Sequence, residues 1–176
     1  MSRGVVLWPD DETTGRICSL WSELEAGGIA TLLTTSHRNH RPHVSLVVGE
    51  DLDHGAALDA LDALDAVPSA PIPLRIESAG LFPGGTAVLG VVMSRGLLDE
   101  HRRVSSLVGG LLRQPWPDDA IDRWTPHLAI AYAPTPDELG RAMPIVESKL
   151  PITGLLTTGG VEDGSTGDRW AALRPR

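Results

Sequence analysis

The sequence holds a single cysteine, Cys18, among its 176 residues. One thiol excludes a disulfide within the chain and any zinc site built from several cysteines, and a reducing compartment is its simplest setting. Cys18 itself reads as a core residue. Long apolar runs are also missing: nothing approaches the ~18 consecutive apolar residues that a membrane span requires. The opening MSRGVVLWPDDE turns acidic too early for a secretory signal. A cytoplasmic protein without membrane contact is therefore expected. Positive charge is scarce, with 15 Lys and Arg against 23 Asp and Glu and a net charge of −8. Attachment to long nucleic acid relies on clustered cations displacing counterions, so no long nucleic-acid tract is an expected partner; a small one could still be met at a local basic patch. The chain also lacks G-x-S-x-G, a Walker A loop and a G-x-G-x-x-G after a strand, which removes the main support for serine-hydrolase, P-loop and Rossmann readings.

What is present is an ordinary globular composition, 41% hydrophobic and 22% charged. A chain of this length buries roughly 70% of the surface it would expose unfolded, enough for a core that needs no metal or disulfide. No stretch is rich enough in Gly, Ser or Pro to separate independent domains.

GVVLWP at 4–9 reads as a strand, followed by a helix with Ile17, Leu20, Trp21 and Leu24 on one stripe and Gly27-Gly28 as its stop. Residues 29–35 (IATLLTT) and 43–48 (HVSLVV) read as strands. The Ala-Leu-Asp repeats over 54–66 predict a surface helix with Leu58, Leu61 and Leu64 on one edge, ended by prolines at 68, 71 and 73. PLRIESAGLF and TAVLGVVMS form a hairpin around Pro83-Gly84-Gly85. Val104, Leu107, Val108 and Leu111 mark a helix from Leu97 to about Arg113, and His127 to Tyr132 is a strand. Thr135, Pro136 and Glu138 open a helix that Pro144 must kink or split. ITGLLTTG and RWAALRP close the chain as a hairpin around a loop from Val161 to Gly167.

The informative feature is an internal echo. Pro42-His43-Val44-Ser45-Leu46-Val47-Val48 returns as Pro126-His127-Leu128-Ala129-Ile130-Ala131-Tyr132, the histidines 84 positions apart. Each copy lies between amphipathic helices, so the chain reads as two related α/β halves. Strict alternation along a strand puts His43, Ser45 and Val47 on one face and Val44, Leu46 and Val48 on the other, and likewise His127, Ala129 and Ala131 opposite Leu128, Ile130 and Tyr132 in the second copy. Both sets then face a shared cleft while the aliphatic faces pack on helices.

Paired His-x-Ser/Thr-x motifs half a chain apart, with AGLFPGGTAVLGVV between them, resemble the 2H phosphoesterase superfamily, in the branch of 2'-5' RNA ligases and RNA 2',3'-cyclic phosphodiesterases. The resemblance implies an α+β fold: bilobed and pseudo-two-fold, with two antiparallel sheets facing a central cleft and helices on the outside. It implies that residues 1–176 form one such domain, that His43 and His127 are the catalytic pair, and that Ser45 binds phosphate. Ala129 stands at the matching phosphate position, where Ser or Thr is expected, and an alanine cannot donate a hydrogen bond. Phe82 falls at the family's aromatic loop and is a substrate-stacking candidate.

Opening a cyclic phosphodiester needs a water deprotonated on one side of phosphorus and a ribose oxygen protonated on the other. Two imidazoles, each titrating near ~6.5, suit both tasks without a cofactor or metal. The resemblance implies His43 as acid and His127 as base, although the near-symmetry of the motifs leaves the order open. Trp124 is a second stacking candidate by its proximity to His127, or else a packing residue. Arg41 and Arg123 precede the two strands and either supply the basic patch or are ordinary solvated arginines. His37, His40 and His43 have H-x-x-H-x-x-H spacing, but Pro42 disfavours the shared helical face a metal would need. The expected partner is a small nucleotide or RNA end with a cyclic phosphate, and the protein a monomer. The alternatives are a nucleotide- or RNA-end-binding module weakened by Ala129, and a non-enzymatic interaction domain on the same scaffold.

Overall fold

A computed structural model describes residues 2–35, 37–62, 71–82 and 84–173. The elements run β1 (Arg3–Pro9), α1 (Asp11–Ala26), β2 (Val44–Leu52), α2 (His54–Asp62), β3 (Ile72–Leu81), β4 (Thr86–Val91), α3 (Arg95–Val108), β5 (Leu112–Pro115), β6 (His127–Tyr132), α4 (Pro136–Glu147), β7 (Ile152–Asp163) and β8 (Arg169–Leu173). No helix among the described residues is long and apolar enough to cross a membrane.

Local chemistry sets the helix ends. The Asp10 carboxylate accepts from Thr13 N–H at 2.7 Å, and Asp11 and Glu12 place negative charge against the first turn of α1. Its stripe of Ile17, Leu20, Trp21 and Leu24 is fully buried. Ser94 caps α3, and α4 opens on a reciprocal capping box between Thr135 and Glu138. Burying each large apolar side chain of such faces contributes about 1.5–3 kcal/mol.

All strand pairs are antiparallel, in the order β5-β2-β1-β7-β3-β4-β6, with β8 added to β7. The two lobes are therefore not two separate sheets. Ile152–Leu156 of β7 pairs with β3, while the stretch from Leu156 to Asp163 pairs with β1, so one long strand carries both. The sheet curls until β2, one strand in from the edge, meets the edge strand β6, and Trp124 Nε1 donates to the Ser45 carbonyl at 3.0 Å across that seam.

Strict alternation fails on both histidine strands, for the same reason on each. Val5 and Val6 of β1 pair with Val47 and Ser45, which leaves Leu46 as an extra residue in β2. Ala87 and Val88 of β4 pair with Ala131 and Ala129, which leaves Ile130 extra in β6. Such a bulge reverses the facing of everything beyond it. Leu46 and Val47 are consequently both buried in the core, as are Ile130 and Ala131. Val48 and Tyr132, expected on the core side, turn to the cleft instead.

Other expectations are also corrected. Residues 29–35 form turns rather than a strand, because Glu25 Oε1 accepts from the Thr31 and Thr34 hydroxyls at 2.8 and 2.7 Å and folds the segment onto α1. Helix α3 stops at Val108 ahead of Gly109-Gly110, and Leu112–Pro115 leaves to pair with β2 as β5. Helix α4 runs through Pro144 without splitting, since that proline sits in its last turn and Ser148 N–H still reaches the Pro144 carbonyl at 3.2 Å. The closing loop is shorter than expected: Val161, Glu162 and Asp163 remain in β7 because they pair with Val5, Gly4 and Arg3. The ends of the 54–66 helix and of the 83–85 turn, with Leu64, Pro68 and Pro83, lie outside the described residues.

Candidate active site

A cavity of about 390 Å³ opens inside the curl of the sheet, within the range of small-molecule sites. His43, Ser45, Phe82, Arg123, His127 and Ala129 all line it. His43 directly precedes β2 and His127 opens β6.

The two imidazoles are held alike. His43 Nδ1 lies 2.9 Å from the Arg41 carbonyl, and His127 Nδ1 lies 2.8 Å from the Thr125 carbonyl, each two residues back along the chain. A carbonyl oxygen only accepts, so each Nδ1 carries the hydrogen. Each Nε2 is thereby left for the cavity. This orienting bond comes from the extended X-Pro-His backbone ahead of each strand, where Pro42 and Pro126 fix the approach.

Their surroundings differ. Glu162 on β7 is 3% exposed, and its Oε2 accepts from Trp8 Nε1 at 3.0 Å. Its Oε1 lies 3.3 Å from His43 Nδ1 and has no hydrogen bond of its own among the described residues. The Glu162 carboxylate thus lies against the N–H side of the His43 ring. His127 has no acid beside it. The Phe82 ring sits 4.4 Å from its ring centre, and burial, followed by the charge of His43, lowers the His127 pKa against the opposing pull of the Thr125 carbonyl. His127 is therefore biased towards the neutral form that accepts a proton.

Two further candidates fall elsewhere. Trp124 does not line the cavity: it is 5% exposed, stacks flat on the buried His101 ring at 4.1 Å and bonds the Ser45 carbonyl, so it joins the lobes. Arg41 also stays outside the lining; its guanidinium is 3.5 Å from Asp11, and its contribution is the carbonyl that orients His43. Arg123 does reach the cavity, where it pairs with Asp118 at 2.8 Å.

Sequence reasoning missed Glu162, Tyr132, Trp116, Asp119 and His40, all of which line the cavity. Asp119 is pushed up to about 7 by burial and then by Asp118, against a hydrogen bond from the Val48 backbone. Burial, followed by His37, brings His40 down to about 4. The His37 and His40 rings lie 4.0 Å apart, but His37 Nδ1 accepts from the Asn39 N–H, which puts its own hydrogen on Nε2. Among the described residues no three His, Cys, Asp or Glu side chains converge as a metal site would require.

A curled antiparallel sheet thus brings to one cavity two histidines, one directly ahead of its strand and one opening its strand, each tied back through Nδ1. A family model of the 2'-5' RNA ligase superfamily matches residues 9–158, and the chain belongs to that superfamily, within the 2H phosphoesterases. Solved structures with the same fold include Escherichia coli LigT complexed with NADP+, at 13% identity over 99% of this chain and 97% of that one, with a TM-score of 0.56. A phosphoesterase is similar at 13% identity over 99% and 98%, with a TM-score of 0.58. The MHV ns2 PDE domain is similar at 16% identity over 92% and 95%, with a TM-score of 0.54. No curated protein matches the chain.

Proposed function

We propose that the chain, acting as one domain built from two related halves, is a metal-independent phosphodiesterase. Its substrate is a 2',3'-cyclic phosphate or a 2'-5'-linked nucleotide or RNA end. The observation that carries the reading is the pair of imidazoles tied back through Nδ1 with Nε2 left to one cavity, made unequal by Glu162. His127, biased to the neutral form, takes a proton from water as the water oxygen attacks phosphorus. The bond from phosphorus to one ribose oxygen breaks, and His43 Nε2–H delivers its proton to that departing oxygen. A phosphomonoester and a free hydroxyl result, and the two histidines have exchanged protonation states. Each proton transfer contributes roughly 10²- to 10⁴-fold.

Glu162 is a positioning residue in this scheme, set against the Nδ1 side of the ring whose Nε2 donates the proton. Ser45 binds the phosphate, and Phe82 and Arg123 bound the space beside it. A nucleotide ligand is in keeping with the cavity volume and with the NADP+ carried by LigT. Ala129 favours a second reading, a nucleotide-binding module with slow turnover. A panel of 2',3'-cyclic nucleotides and 2'-5'-linked dinucleotides, tested with and without EDTA, separates the two. Turnover that survives the chelator and disappears in His43→Ala and His127→Ala supports the enzyme. Binding without turnover supports the module, and neither binding nor turnover defeats both.

A further inference from the structure

The second motif carries alanine where a phosphate-binding hydroxyl is expected, yet its strand holds the chain's one tyrosine three residues further on. We propose that the Tyr132 hydroxyl donates to the phosphate the hydrogen bond that Ala129 cannot. This inference rests on the reading of the cavity as a phosphodiester site.

The bulge at Ile130 makes it geometrically available. In a regular strand Ala129 and Tyr132 would face opposite sides; with Ile130 unpaired, both line the cavity. The side chain extends towards the other lobe: its ring meets the His40 ring edge-on at 6.5 Å, and its hydroxyl feels the Glu162 carboxylate that lies against His43. It is 57% exposed, and its hydroxyl has no hydrogen-bond partner among the described residues. Crowding around the hydroxyl, followed by the Glu162 charge, raises the phenol pKa above its ordinary 10.0, so at neutral pH the group is a donor.

The matching strand supplies an internal control. The bulge at Leu46 brings Val48, the counterpart of Tyr132, to the same cavity, and there Ser45 keeps its hydroxyl. One strand thus carries Ser45 with Val48, the other Ala129 with Tyr132, and each presents one hydroxyl to the cavity from these two places. Ser2, Thr86 and Thr125 also reach the lining, and their hydroxyls are competing donors.

A double-mutant cycle on the full chain tests the exchange: parent, Tyr132→Phe, Ala129→Ser and the combined variant, with melting temperatures checked for each. The readouts are kcat/KM on whichever cyclic nucleotide the parent hydrolyses and the affinity for adenosine 2'-monophosphate. Losing a hydrogen bond to a charged group should make Tyr132→Phe on the order of ten- to a hundredfold worse. Ala129→Ser should recover most of that loss in the combined variant and gain far less when Tyr132 is present. Losses that are the same in both backgrounds overturn the proposal, as does an unchanged Tyr132→Phe, and a Thr86→Val or Thr125→Val that loses activity instead would name the true donor. Should the parent hydrolyse nothing, the phosphodiesterase reading falls while the Tyr132 contact is still decided by binding. Weakening by Tyr132→Phe with recovery by Ala129→Ser upholds it, and uniform affinity or no binding at all refutes it.

Discussion

His43 and His127 stand at the mouths of two strands that share their backbone design down to the bulge three residues along, but the lobes around them are not interchangeable. The first histidine has a buried carboxylate beside Nδ1; the second has a phenylalanine ring and a desolvated pocket. The backbone therefore holds two imidazoles alike, and neighbours from β7 and the β3–β4 turn give them different surroundings, which the proposed scheme reads as a proton donor and an acceptor. Near-symmetry of the backbone sets how each ring is held, and departures from it set what surrounds each ring.

The largest blow to this division of labour is removal of either imidazole. His43→Ala and His127→Ala should each lower turnover by about 10²- to 10⁴-fold, and the double variant should be little worse than either, because the two groups act in one step. Steady-state rates on purified, folded variants check this.

Next comes the removal of the asymmetry. Glu162→Gln keeps the shape and a partner for Trp8 but withdraws the counter-charge, and should cost on the order of tenfold to a hundredfold in kcat. The parent should show a bell-shaped pH profile whose apparent constants belong to the coupled pair. Its acid limb should lie below ~6.5, because the lowered pKa of His127 keeps that base neutral into mildly acidic solution. In Glu162→Gln the acid limb set by His127 should stay where it is while kcat falls; an unchanged kcat would remove Glu162 from the mechanism.

Ser45→Ala sharpens the comparison from the other side, since β2 has no tyrosine to stand in. It should lose about tenfold or more in kcat/KM. Val48→Tyr in that background, which copies the arrangement of β6, should return part of the loss.

The smallest effect concerns Asp119, at the β2 side of the cavity. Its folded pKa of about 7 lies above the ordinary 3.8, so between those values the folded chain binds more protons than the unfolded one. Stability from this group is complete in acid and declines as the pH rises from about 4 to 7. Asp119→Asn should then be more stable than the parent at pH 8, by ~1 kcal/mol or more, and nearly equal to it at pH 4, as denaturant melts at the two pH values would show.

Much of this architecture was written in periodicities. The stripe of Ile17, Leu20, Trp21 and Leu24, the capping residues Thr135 and Glu138 and the repeated Pro-His steps each point to one local structure. The bulges left no such mark, because Leu46-Val47 and Ile130-Ala131 are apolar pairs that suit either face until a partner strand fixes the register. Tyr132 was assigned to the wrong face for that reason, and Val48 with it. Residues 29–35 had the composition of a strand, but the outcome was decided by Glu25 capturing two threonine hydroxyls. Glu162 was obscured because Val161–Gly167 looked like a loop; only pairing with β1, at the opposite end of the chain, draws it into a strand beside His43.

Strand β7 also sets the order in which the molecule can come into being. Arg3 pairs with Asp163 and Leu7 with Gly159, contacts between nearly the first and nearly the last residues of the chain. Closing so long a loop costs entropy before any sheet hydrogen bond repays it, and such non-local pairing places a protein among the slower folders. Until β7 docks, β1 lacks one neighbour, β3 lacks another, and Glu162 is nowhere near His43. A chain emerging from the ribosome can assemble helices and the β3–β4 hairpin early, but it cannot line the whole cavity in any half-built form. The contact between Glu162 and His43 arrives in the same event that completes the sheet.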